Sequence, residues 1–143
     1  MFYICGGSNS LRKDGWVAGF AEATGIEMQN ISVGAAPSQL GAFRCLYTID
    51  LKPGDTVLWE YGVNDANHID ARGYAEEDLV AAVEWILRHC ETVGAKFGAL
   101  LLQPRNRERQ PETSRYRAML QALFDRYRVP CFDIRSEYVA RHR

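Results

Sequence analysis

Short apolar runs alternate along the chain with longer stretches of helical period. The runs at residues 2–5, 26–31, 56–61, 97–102 and 129–134 are a few residues long, and several are apolar at nearly every position. That pattern predicts strands covered on both faces. Between the first two runs Trp16, Val17, Phe20 and Ala21 recur at three- and four-residue spacings, and Gly25 stands where a helix can end in a left-handed residue. Residues 74–93 carry the clearest helical signal, because Leu79, Val80, Val83, Ile86, Leu87 and Cys90 form one stripe that Gly94 closes. A third helix is predicted over 112–127 with Tyr116, Met119, Leu120, Leu123 and Phe124 inward. A shorter helical segment over 39–47 precedes Lys52-Pro53-Gly54-Asp55, a turn by composition.

Strands separated by helices predict a parallel sheet, and right-handed crossovers place helices on both of its faces. The expected fold is a three-layer α/β/α sandwich around a five-stranded parallel sheet of flavodoxin-like order, 2-1-3-4-5. With 143 residues the chain matches one domain, residues 1–143. Hydrophobic residues at 47% and charged ones at 24% exclude a disordered or coiled-coil chain. A net charge of −1 gives no electrostatic reason for a nucleic-acid partner. No apolar run approaches the ~20 residues that span a bilayer, so no membrane partner is expected. The chain opens directly into a strand, and Cys5, Cys45, Cys90 and Cys131 show no C-x-x-C spacing and lie in apolar contexts. Buried thiols in a reducing cytoplasm are the expectation, with no metal or cofactor.

In open parallel sheets ligands bind outside the carboxyl ends of the strands, so the residues that follow each run carry the candidate chemistry. The first run leads into Gly6-Gly7-Ser8-Asn9-Ser10. Two glycines permit a tight turn and close approach of a ligand, and Ser8 fits a nucleophile, a phosphate-binding turn or a plain helix cap. After the second run, Gly34 can offer an unobstructed N–H to an oxyanion or merely serve a loop. After the third, in Glu60-Tyr61-Gly62-Val63-Asn64-Asp65, Asn64 can offer an amide donor, although an Asn-Asp pair also suits a turn. His68 lies further along the same rim loop. The fourth run is followed by a polar, Arg-rich segment in which Arg105 can meet a carboxylate or phosphate or remain solvated. Cys5 falls inside the first run and reads as core.

A Ser after the first run, a Gly after the second and Gly-x-Asn-Asp after the third resemble, in order and spacing, the first three blocks of the SGNH (GDSL-type) hydrolase family. The resemblance covers essentially the whole chain. It implies that Ser8 is the nucleophile and that the Ser8 N–H, the Gly34 N–H and the Asn64 side chain form an oxyanion hole. Gly7, Asp65, His68 and Arg105 are then expected around the substrate. The implied activity is hydrolysis of a small acyl ester, such as an acetyl ester of a carbohydrate or other alcohol, because no long apolar lid segment exists to cover a fatty chain.

Two positions depart from the family pattern. Gly7 stands where the motif has an aspartate. The last block, Asp-x-x-His, is absent: Asp133 is followed three residues later by Ser136, and no histidine follows until His142. The expectation is that the chain stops short of a C-terminal segment carrying that dyad; the alternative is a degenerate member that has lost hydrolysis. His68, His89 and His142 are the available bases, with His89 a surface or boundary residue and His142 at a terminus. The competing functions are a module that binds carbohydrate or phosphate without chemistry, and an acyltransferase in which a sugar hydroxyl discharges the acyl enzyme.

Overall fold

The computed structural model describes residues 1–102 and 115–141. Five parallel strands, β1 (Phe2–Gly6), β2 (Met28–Asn30), β3 (Thr56–Glu60), β4 (Lys96–Leu101) and β5 (Cys131–Asp133), form one sheet in the order β2-β1-β3-β4-β5. This is the flavodoxin-like order expected. The helices are α1 (Trp16–Thr24), α2 (Ser38–Phe43), α3 (Gly62–Arg72), α4 (Glu76–Val93), α5 (Arg115–Tyr127) and α6 (Ile134–Arg141).

Side chains alternate across a strand, so the register assigns the faces. Tyr3 opposite Val57 and Cys5 opposite Trp59 share one face, while Phe2, Ile4, Leu58 and Glu60 share the other. The first face is the main core. Trp59 meets Phe124 of α5 with ring centroids 5.9 Å apart, and the α4 stripe of Leu79, Val80, Val83, Ile86, Leu87 and Cys90 is buried in full. Each such side chain stabilises the fold by about 1.5–3 kcal/mol relative to exposure. The second face carries α1, whose Phe20 ring lies 5.7 Å from that of Phe2. Its cover is thinner, since α1 has no buried residue and Phe132 of β5 is 50% exposed.

Several boundaries move. The edge strand β2 pairs only with β1 and shrinks to three residues. The strand read over 129–134 ends at Asp133, because α6 begins at Ile134 and the Asp133 carboxylate accepts the Ser136 N–H at 3.4 Å, as a capping residue does, and the Ser136 hydroxyl at 3.0 Å. The helix read from residue 74 starts at Glu76, with Ala75 extended before it. The short helix over 39–47 is α2 running into a wide turn of π geometry at Arg44–Thr48. Residues 112–114 of the third predicted helix lie outside the described residues. The rim loop expected after the third strand is instead the eleven-residue α3.

Cys5, Cys45 and Cys90 are buried free thiols, and Cys131 is half-buried. The Cys45 thiol donates to the Cys5 sulfur at 3.7 Å, so Cys5 belongs to the core as read. Among the described residues no helix is long and apolar enough to cross a membrane.

Candidate active site

The turn after β1 is held from both neighbouring strands. On the β2 side, Gly6 N donates to Ser32 Oγ at 2.9 Å and Asn30 Nδ2 donates to Ser10 O at 2.6 Å. On the β3 side, Gly7 N donates to Glu60 O at 3.2 Å. Ser10 N to Gly7 O and Leu11 N to Ser8 O, both 3.1 Å, close one 3₁₀ turn over Ser8–Ser10. Gly7 and Ser10 are buried in this arrangement, whereas Ser8 is exposed.

Gly34 approaches that serine, and Asn64 lies over the glycine that precedes it. A Cβ at Gly34 would lie 3.8 Å from Ser8 Cβ, so the loop after β2 runs alongside the serine. The next residue, Ala35, has φ 57, a left-handed conformation that costs a non-glycine residue about 1–2 kcal/mol. Bonds on both sides hold it there: Val33 N to Gly6 O at 3.0 Å and Asn64 Nδ2 to Ala36 O at 2.8 Å. The Asn64 amide lies over Gly7, where a Cβ would fall 2.6 Å from Nδ2. No side chain fits at Gly7 with Asn64 so placed, which gives a local reason for glycine where the family motif has aspartate. Among the described residues neither Ser8 N nor Gly34 N has an acceptor, and Ser8 Oγ has no hydrogen-bond partner.

Asp65 and His68 are not rim residues. Asp65 is fully buried and accepts Ser38 N at 2.8 Å, Ser38 Oγ at 2.5 Å and the Tyr116 hydroxyl. Burial pushes its carboxyl up to about 6, against the pull of those hydrogen bonds. The carboxylate therefore ties α3 to α2 and α5 and faces the interior, not a substrate. Trp59 Nε1, 3.0 Å from Ser38 Oγ, completes the cluster. His68 is 6% exposed on α3, with Nδ1 2.8 Å from Asn64 O and its ring edge-on to Tyr74 at 5.0 Å between centroids. It is a packed helical residue and not a solvated loop histidine. His89 is half-buried on α4, the boundary position expected; Arg105 and His142 lie outside the described residues.

One group escaped the reading of the sequence. Glu60, at the end of β3, is fully buried directly beneath the serine turn, and its Oε2 accepts the Ser10 hydroxyl proton at 2.6 Å. Burial pushes its carboxyl up to about 7, with the Ser10 bond opposing. The available signal was an acid closing the otherwise apolar Val57-Leu58-Trp59.

No family model matches the chain, and no curated protein matches its sequence. Its backbone nevertheless has the SGNH-hydrolase fold. The acetyl xylan esterase AlAXEase superposes with a TM-score of 0.73 at 15% identity, over 97% of this chain and 79% of that one. The SGNH-hydrolase family esterase AlinE4 gives 0.64 at 16%, over 91% and 73%. A Bacillus subtilis protein gives 0.71 at 18%, and there the match takes 98% of this chain but only 45% of the other. At these identities the likeness establishes the fold alone.

Proposed function

We propose that this chain carries the nucleophile and oxyanion hole of an SGNH-type ester hydrolase. The observation that best supports it is an exposed Ser8 with the Gly34 loop alongside it and the Asn64 amide over Gly7, the N–H groups of Ser8 and Gly34 having no acceptor among the described residues. In this reading Ser8 Oγ attacks the ester carbonyl carbon, and the electron pair displaced onto the carbonyl oxygen is met by those three donors. One such donor is worth about 2.7–4 kcal/mol in the transition state. The alcohol then leaves, and water releases the acyl group from Ser8. A small acyl group, such as acetyl, is the substrate class, in keeping with the acetyl xylan esterase among the structural neighbours.

The Oγ proton needs a base, and no Asp-x-x-His stands between the fifth strand and Arg143; the Asp65-Ala66-Asn67-His68 of α3 has both its acid and its histidine buried. That favours one second reading, a module that binds carbohydrate or phosphate at the same rim without chemistry. Both are tested by treating the 143-residue chain, and any longer product of its reading frame, with a fluorophosphonate probe and a short-chain aryl ester, with and without added imidazole as an external base. Labelling at Ser8 that imidazole accelerates and that Ser8→Ala abolishes supports the hydrolase. Absence of Ser8 labelling under all these conditions, with saccharide binding intact in Ser8→Ala, would establish the binding module instead.

A further inference from the structure

The hydrolase reading leaves Glu60 without a task. It ends β3 opposite Gly6 in the register, on the face it shares with Ile4 and Leu58. Its main-chain carbonyl accepts Gly7 N–H at the start of the serine turn, and its side-chain Oε2 accepts the Ser10 hydroxyl at the end of that turn. One residue thus grips both ends of the segment that displays Ser8. The fit is close, since a Cβ at Gly6 would fall 2.8 Å from the same oxygen. Oε1 is buried with no partner among the described residues.

The groups that bear on this carboxylate are few. Ser10 donates to it from the turn, the Gly7 N–H approaches from the end of β1, and the Asp65 carboxylate on α3 adds repulsion. Among the described residues no Lys, Arg or His forms an ion pair with it. A hydrogen bond to an ionised carboxylate is shorter and roughly twice as strong as one to its neutral acid. The grip on Ser10 therefore depends on the charge of Glu60.

We propose that Glu60 is the positioning residue of the Ser8 turn: its ionised carboxylate, acting through Ser10, holds Ser8 toward Gly34 and Asn64, and uptake of a proton relaxes that hold. The consequence for catalysis rests on the hydrolase reading; the linkage between Glu60 and the turn does not. The test follows the Glu60 carboxyl carbon and the amides of Gly7, Ser8 and Ser10 by NMR from pH 5 to 9, alongside the rate of fluorophosphonate labelling.

In the wild type the Glu60 carboxyl, which burial raises to about 7, and the three amides are expected to titrate together. Glu60→Gln abolishes the amide titration, and Ser10→Ala moves the midpoint upward, because the lost hydroxyl favoured the charged form. The wild type labels roughly tenfold faster than Glu60→Gln at pH 8, and at about the same rate at pH 6. Turn amides that stay flat while Glu60 titrates, or that still titrate in Glu60→Gln, overturn the proposal. Should Glu60→Gln fail to fold, the wild-type co-titration and Ser10→Ala decide alone. Intact co-titration without any labelling supports the positioning role and removes the nucleophile.

Discussion

Gly7 and Asn64 occupy one small space above the end of β1, so no side chain fits at Gly7 while Asn64 stays in place. A methyl group at Gly7 would drive into the Asn64 amide, so Gly7→Ala is expected to cost about 1–3 kcal/mol in urea unfolding and to slow Ser8 labelling as Asn64 is displaced. On the hydrolase reading, Asn64→Ala, which also removes the bond to Ala36 O, should lower kcat about 10²–10³-fold with little effect on KM, as loss of a transition-state donor does. An equal rise in KM would place Asn64 in ground-state binding instead. Ser8, Gly34 and Asn64 each follow a strand run, where a parallel sheet presents its ligands, and the family resemblance is what singled them out. Asp65 and His68 were misplaced because the same logic put them on an open loop.

At the scale of the elements, α4 shows what periodicity can resolve. Its six-residue stripe is buried as read, and Trp85, which breaks the stripe, is 60% exposed. Ile86→Ala is expected to lose about 2–5 kcal/mol, whereas Trp85→Ala should stay within roughly 1 kcal/mol; chemical denaturation of the pair compares the two faces directly. The neighbouring α3 had no such stripe. Its buried residues are Asn64, Asp65 and His68, all polar, and its hold on the domain is the Asp65 carboxylate between Ser38 and Tyr116. A helix anchored by a buried acid leaves no apolar period to detect. Tyr116→Phe, which removes one donor from that acid and changes no apolar contact, should destabilise by about 1–3 kcal/mol.

For the molecule as a whole, two buried acids set a pH dependence of unusual sign. Burial raises Glu60 to about 7 and Asp65 to about 6, from ordinary values of 4.5 and 3.8. Between about pH 4 and 7 the native state therefore keeps protons that the unfolded chain releases, and stability from these groups falls as pH rises through that window. Each contributes on the order of 3 kcal/mol. Below pH 4 the trend reverses, because the N-terminal ammonium holds Asp55 low, and Arg117 holds Asp133 low in spite of its burial; stability from those carboxylates is lost as they take up protons. The urea midpoint should accordingly be higher at pH 5 than at pH 8, and Glu60→Gln should flatten part of the difference. A midpoint that climbs from pH 5 to 8 would contradict the burial of these two acids.

The sequence by itself determined the number and order of the strands, the long helices and the sheet topology, since these follow from hydrophobic period and from the handedness of parallel crossovers. It also placed Ser8, Gly34 and Asn64 at one edge. Only the tertiary structure decided which polar groups face that edge and which are enclosed. Glu60 meets a partner 50 residues away, and Asp65 meets partners 27 and 51 residues away. Local period records the face of an element, but the burial of a polar side chain depends on the distant segments that supply its hydrogen bonds.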